Sequence, residues 1–173
     1  MSQPLFYTYH PSPIGDLLLA GDEEALHFVS FPSGSKAFRP WPEWTRKDGP
    51  FGEVRRQLDA YFAGELKRFD VPVHLGGTEF QRKVWLALAD IPFGETRTYG
   101  WQAKVIGVPV SAARAVGAAN GANPVAIILP CHRVIGSTGA LTGFGGGLPT
   151  KKFLLALEGA LPDTAETRQL PLL

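Results

Sequence analysis

Cysteine is nearly absent from this chain: Cys131 is the only one in 173 residues. That excludes an intrachain disulfide and any zinc site built on several thiolates, and nothing requires an oxidising compartment. An excess of charge of one sign is missing too. Lys and Arg number 17 against 16 Asp and Glu, a net charge of +1. A protein that lives on phosphate contacts usually carries a clear basic excess, so any nucleic-acid binding here must rest on local features. No apolar run approaches the ~20 residues of a membrane span. The start, Met1-Ser2-Gln3-Pro4, has no basic segment leading into an apolar core, so no secretory signal is read there. The expected compartment is the cytoplasm, with no membrane partner. The length allows one domain or two small ones.

What is present reads as β, then α. Leu5–Tyr9 is aromatic-rich and strand-like, and Ser12-Pro13-Ile14-Gly15 is a turn. Leu17–Ala20 and Leu26–Val29 flank Gly21-Asp22-Glu23-Glu24 as a hairpin. Residues 32–50, rich in proline, read as a loop. Phe51, Val54, Leu58, Tyr61 and Phe62 recur at helical spacing, with Gly64 as the stop. Phe69, Val71, Val73 and Leu75 alternate with other residues at period two, which predicts a strand. His10, His27 and His74 stand apart in sequence and read as surface or satisfied-core residues.

Gly76-Gly77 marks a boundary between an N-terminal unit, residues 1–76, and a second unit, residues 77–160, followed by a tail, 161–173, without clear periodicity. Thr78 with Gln81 is a capping box opening a helix whose apolar face is Phe80, Val84, Trp85 and Leu88. Thr98 caps a helix over 99–106, Gly107-Val108-Pro109 turns the chain, and Ser111 caps a second helix over 112–119 that Asn120-Gly121 stops. Two short helices around a glycine-containing turn match a helix-turn-helix. The second helix is nearly all alanine and glycine around Val116 and Arg114. One reading is a tightly packed interior helix. The other is a helix fit for the minor groove, with Arg114 entering the base stack, since a major-groove reader displays several long polar side chains.

The segment Pro130-Cys131-His132-Arg133-Val134 follows the apolar run Val125–Leu129, which reads as a buried strand that Pro130 ends. A free cysteine is often just a small buried hydrophobe. Here it stands where the chain is expected to leave the core, beside an imidazole able to take its proton, which is where a nucleophile belongs. The glycine-rich stretch 136–147 reads as a loop bounding a pocket, and no Walker lysine and Ser/Thr pair follows it. Residues 151–158 form a helix with Phe153, Leu154 and Leu157 inward, ended by Gly159.

Together, Pro130-Cys131-His132-Arg133-Val134, Asn123-Pro124, Ala112–Gly117 and Glu158-Gly159 resemble the O6-alkylguanine-DNA alkyltransferases, most strongly from Thr78 to Gly159 and more weakly through Tyr61-Phe62-Ala63-Gly64 and Ser12–Gly15. The resemblance implies an α+β fold: an N-terminal ribonuclease-H-like mixed α/β domain, then a mainly helical C-terminal domain with a helix-turn-helix. It implies irreversible transfer of an alkyl group from O6-alkylguanine, and O4-alkylthymine, in double-stranded DNA to Cys131, without a cofactor or metal, by a monomer. His132 resembles the base acting through a water, with Glu158 orienting it, and the two together are expected to lower the effective thiol pKa. Tyr99 resembles the proton donor to the departing base, and Asn123 the residue tying the helix pair to the active-site strand. Arg114 resembles the finger that fills the gap left by the extruded base, with Ser111, Ala112, Ala113, Ala115 and Gly117 on the DNA. Phe144, Gly145 and Gly146 resemble the pocket loop, although many members have tyrosine at the first position and some a serine at the second. Gly100-Trp101 is an unusual helix start. Three rival classes are a transcription regulator, a cysteine hydrolase and a binding-only relative. The alanine-faced helix speaks against the first, repeated turnover would reveal the second, and the presence of Cys131 argues against the third.

Overall fold

A computed structural model describes residues 4–35 and 37–170. The reading of residues 1–3, Lys36 within the proline-rich loop and the last three residues of the tail lie outside the described residues. Phe6–His10 (β1), Leu17–Gly21 (β2) and Leu26–Ser30 (β3) form an antiparallel meander, with Phe6 opposite Gly21 and Leu19 opposite Val29. The Ser12–Gly15 turn is closed by reciprocal backbone hydrogen bonds. All five residues of β2 are buried, as a central strand covered on both faces requires. The 32–50 segment is mostly loop, but Thr45–Arg46 (β4) adds parallel to β1, giving the sheet order β3-β2-β1-β4. Gly52–Phe62 (α1) buries Val54, Leu58 and Tyr61.

The strand expected over 69–75 does not form. Its residues do alternate between half-buried and exposed, but pairing is reduced to one bridge between Val73 and Leu26. Pro72 lies inside it, and proline has no N–H to donate to a ladder. The histidines are less isolated than their spacing implied. His10 is buried and bonded to Asp59 (2.7 Å) and Arg55 (3.2 Å), while His27 and His74 stack with ring centroids 4.4 Å apart.

The C-terminal part is mainly helical. Glu79–Leu88 (α2) begins at the expected Thr78–Gln81 capping box. Arg97–Thr98 (β5) leads into Tyr99–Val105 (α3), with the Thr98 side chain accepting from the Trp101 N–H. Ala113–Gly121 (α4) follows, then Val134–Ile135 (β6) parallel to β5, and Leu148–Leu157 (α5). Ser111 is not a cap. A 3₁₀ turn over Val110–Ala112 precedes α4, Ala112 occupies the cap position without a side-chain bond, and the helix runs through Asn120 and Gly121. The tail is better held than its sequence implied: Thr164 caps Ala165–Gln169 (α6), and the Lys152 ammonium donates to the Leu170 carbonyl at 2.7 Å. No described helix is long and apolar enough to cross a membrane.

Asn120 is a lock rather than a stop. Its amide and that of Gln102 bond reciprocally at 2.6 and 3.0 Å, and Gln102 also donates to the Val84 carbonyl, so one buried amide pair joins α2, α3 and α4. The Trp85 indole donates to the Ala119 carbonyl at 2.7 Å. Buried polar groups are tolerated when they are satisfied in this way. A single apolar cluster spans both halves of the chain: Leu19, Val29 and Leu58 meet Val84, Val116, Val125 and Leu154.

Candidate active site

The apolar run before the cysteine is a tight turn, not a strand. Val125 bridges to Val29, and Ala126 and Leu129 bridge to each other around Ile127, whose φ is 73°. A β-branched residue there is strained by about 1–3 kcal/mol, and persists only where its surroundings over-determine it. Asn123 supplies part of that constraint: its Oδ1 accepts from the Val125 N–H (3.0 Å) and its Nδ2 donates to the Leu129 carbonyl (2.8 Å). Cys131–Arg133 then forms a 3₁₀ turn. The chain does not leave the core at this point. Cys131 is 8 % exposed, His132 0 % and Arg133 6 %.

His132 and Arg133 stay buried because Glu158, at the end of α5, meets them. Its Oε2 lies 2.6 Å from His132 Nε2 and accepts from the Tyr61 hydroxyl, also at 2.6 Å. Its Oε1 accepts from Arg133 Nε (2.7 Å) and the Gly94 N–H (3.2 Å). Arg133 Nη2 adds a bond to Oε2 and Nη1 donates to the Ile91 carbonyl. Burial alone would push the Glu158 carboxyl up, but the interaction with His132 and the hydrogen bonds from Arg133 and Tyr61 outweigh it and hold the group at about 2.

An ionised carboxylate only accepts, so His132 Nε2 carries the proton and donates. Nδ1 is then the acceptor. Among the described residues it is the buried side-chain nitrogen or oxygen that lacks a hydrogen-bond partner. Burial lowers the His132 pKa, with Arg133 and Lys151 acting in the same direction and Glu158 opposing them. His132 is thus a neutral imidazole with a free lone pair, the form a general base needs.

Burial pushes the Cys131 pKa up, and it is pulled back by Asn123, by the Lys151 charge and by the backbone N–H groups of Cys131 and His132, with no contribution from the His132 ring or Glu158. The resting group is a neutral thiol that must be deprotonated in the course of reaction. Lys151 is fully buried on α5, donates to the carbonyls of Val134 (2.7 Å) and Thr142 (3.0 Å), and is lowered by burial to about 8 against the opposing influence of Cys131. Its ammonium lies 5.9 Å from the ring centres of both Tyr99 and Phe144. Tyr99, at the start of α3, accepts from the Thr142 hydroxyl at 3.0 Å, which leaves its own O–H free to donate. Burial raises its pKa. The loop after β6 brings Phe144, Gly145 and Gly146 to the thiol's side of the molecule. Phe144 packs on Phe31 at 5.4 Å, and a Cβ on Gly146 would lie 2.5 Å from the Phe31 ring, so only glycine allows that approach.

Ser111 in the turn before α4 and Arg114, Ala115 and Ala118 on α4 are exposed, whereas Val116, Ala119 and Asn120 are buried. The outward stripe runs at i, i+3, i+4, i+7. Ala112 and Ala113 are half-buried at its edge. Gly117 turns away from it, and a Cβ there would meet the Tyr99 ring at 3.6 Å.

Beside Cys131 lies a cavity of about 290 Å³, bounded by Asn123, Ala126, Phe144 and Gly145 and, from the N-terminal half, by Phe28, Phe31 and Phe38. A larger cavity of about 710 Å³ among Trp41, Trp44, His27, His74 and Trp85 does not reach the thiol, and the chemistry resides in the smaller one. Tyr61, Arg133 and Lys151 are contributors that sequence reasoning missed. Arg133 stood in plain sight beside His132 and had only to be read as buried. Lys151 and Tyr61 gave no local signal, since their partners are distant in sequence. Among the described residues, no group of His, Cys, Asp and Glu side chains could hold a metal ion.

In chemical terms the site holds a cysteine thiol and a histidine–carboxylate pair, an arrangement able to support nucleophilic chemistry. Two family models identify it further: the 6-O-methylguanine DNA methyltransferase ribonuclease-like domain matches residues 5–75, and the DNA binding domain of the same family matches residues 79–160. The chain belongs to that family, whose members repair DNA by moving an alkyl group onto their own cysteine. The methylated-DNA–protein-cysteine methyltransferase of Methanosarcina acetivorans is 57% identical over 156 residues, covering 90% of this chain and 99% of the relative. A crystal structure of Mycobacterium tuberculosis OGT in complex with DNA superposes with a TM-score of 0.83 at 52% identity, covering 88% of this chain and 92% of that one. A methyltransferase from Pyrococcus kodakaraensis, 22% identical with a TM-score of 0.64, shares the fold.

Proposed function

We propose that this protein accepts alkyl groups from O6-alkylguanine, and from O4-alkylthymine, in duplex DNA onto Cys131 Sγ, once per molecule. The observation that carries the reading is the orientation of His132: Nε2–H is committed to Glu158, which leaves Nδ1 as a buried, unpartnered base next to the sole cysteine. The thiol proton passes to Nδ1 through a water, Sγ attacks the alkyl carbon in line, and the carbon–oxygen bond breaks. The purine leaves neutral because Tyr99 gives it a proton. The negative charge then on Tyr99 is met by the Thr142 hydroxyl and the Lys151 ammonium. The thioether product has no hydrolytic exit.

The helix pair α3–α4 is read as a helix-turn-helix in residues 77–160, after a ribonuclease-H-like unit in 1–76. Its exposed stripe lies in the minor groove, with Arg114 in the gap left by the extruded base. The reading also has a monomer acting in the cytoplasm. The test is intact-mass measurement after mixing with O6-methylguanine DNA. One added methyl, mapped to the Cys131 peptide, is expected. Release of many guanines per protein would instead make this a hydrolase.

A further inference from the structure

We propose that Tyr61, from the N-terminal half of the chain, is a positioning residue for the alkyl transfer, setting through Glu158 the proton affinity of His132. The proposal rests on the reading of His132 as the general base. Tyr61 sits on the last turn of α1, is fully buried, and donates its phenolic proton to Glu158 Oε2 across 97 positions of sequence. That oxygen is the same one that faces His132 Nε2. The phenol and the imidazole therefore compete for one acceptor.

The consequence follows from how a shared acceptor divides its charge. Each donor to a carboxylate stabilises its ionised form and weakens its pull on the remaining donors. With Tyr61 bonded, Glu158 holds His132 in the correct tautomer without attracting the imidazolium strongly. Tyr61 itself is locked in its donor form: burial and the adjacent Glu158 charge raise its pKa. The other charged or titratable groups facing His132 are Arg133, whose guanidinium grips both oxygens of Glu158, Lys151 on α5, and Cys131 itself. Arg133 and Lys151 disfavour the imidazolium by repulsion. Tyr61 does so without charge, by occupying the carboxylate.

The sign is definite. Replacing Tyr61 by Phe removes the competing donor, concentrates the carboxylate charge on His132 and raises the imidazole pKa. The base form exists above that pKa, so the acid limb of the pH–rate profile moves to higher pH, by about half a unit. Replacing Tyr61 by 3-fluorotyrosine keeps the shape and strengthens the donor, so the limb moves the other way.

The experiment uses the full chain. Single-turnover methyl transfer from O6-methylguanine DNA is followed by quenched-flow mass measurement across pH for wild type, Tyr61→Phe and the 3-fluorotyrosine protein. Glu158→Gln and the Glu158→Gln, Tyr61→Phe double variant are run beside them, with circular dichroism to check folding. Opposite limb shifts in the two Tyr61 proteins, and no further shift in the double variant relative to Glu158→Gln, are the expected results. If Tyr61→Phe fails to fold, the fluorinated protein, which preserves packing, still decides. A limb unchanged by fluorination, or a uniform loss of rate at every pH, would reduce Tyr61 to a packing residue. Failure of wild type to gain a methyl at Cys131 would overturn the functional reading itself.

Discussion

The outward face of α4 and the nest around Glu158 solve opposite problems with opposite means. The α4 stripe is made by leaving side chains out: Ala115 and Ala118 present methyl groups, and Arg114 is the one long arm. The nest is made by filling every bond: Glu158 takes hydrogen bonds from Tyr61, Gly94, His132 and Arg133, and the free polar atom left over is His132 Nδ1. On the proposed reading, a surface that lies against a nucleic-acid groove gains from the absence of its own commitments. A buried charge has no such freedom, because an unpaired ion in the interior is far more costly than a paired one. The two regions should therefore respond differently to change. The first should be sensitive to added bulk, the second to a missing partner.

The largest effect tests the point the two regions share. Cys131→Ser should abolish alkyl transfer, read as no mass gain after prolonged incubation with O6-methylguanine DNA, because a serine hydroxyl stays protonated and is a far weaker nucleophile. Duplex binding in a gel-shift assay should persist.

Glu158→Gln strikes the nest. Loss of the general base's anchor should slow transfer by roughly 10²–10⁴-fold. The same change leaves Arg133 buried without its carboxylate, which should cost about 3–5 kcal/mol in chemical denaturation. His132→Asn should slow transfer comparably while costing less stability, since Glu158 keeps Arg133. Equal stability losses in the two variants would show that Arg133 is not held in the way described.

Arg114→Ala strikes the stripe. Extrusion of a base costs a few kcal/mol, so repair of duplex DNA should slow on the order of 10²-fold, with reaction on free O6-benzylguanine nearly unchanged. Equal losses on both substrates would remove Arg114 from the DNA and return it to the fold. Ala115→Leu should weaken duplex binding by about tenfold through added bulk alone, with no loss of thermal stability, whereas Gly117→Leu should disturb Tyr99 and lower the rate on the free base as well.

The smallest effect is a pH dependence of stability. The folded Glu158 carboxyl is depressed to about 2 from an ordinary 4.5. Its contribution is therefore fully present above the ordinary value and is lost as pH falls through 4.5 toward about 2. The difference in melting temperature between wild type and Glu158→Gln should narrow steadily as the buffer is acidified over that range.

The C-terminal elements were legible in sequence to different depths. Thr78–Gln81 and Thr98 announced their helices because capping is local chemistry, complete within four residues. The strand expected over 125–129 was misread because an apolar run reports burial, and a turn that Asn123 closes from outside can be as buried as a strand. His132 was read from its place beside the cysteine, and Glu158 from likeness to a family. The thiol environment was not, because it depends on Lys151 and Asn123 and on the depth of burial, and neither distance nor depth is written in local pattern. On α4, composition pointed to small residues, but only the helix's orientation shows that Ala118 faces outward while Gly117 faces Tyr99.

The hydrogen bond from Tyr61 to Glu158 also has a meaning in time. The two residues are 97 positions apart, so at synthesis rates of roughly 5–20 residues per second several seconds separate their appearance. Cys131 is made late in that interval, before the carboxylate that meets His132. On the proposed reading the thiol reaches full reactivity only after Glu158, at the end of α5, has met Tyr61 on α1. On that same reading, in which Glu158 anchors the base, long-range closure leaves an unfinished molecule slow to spend its one nucleophile.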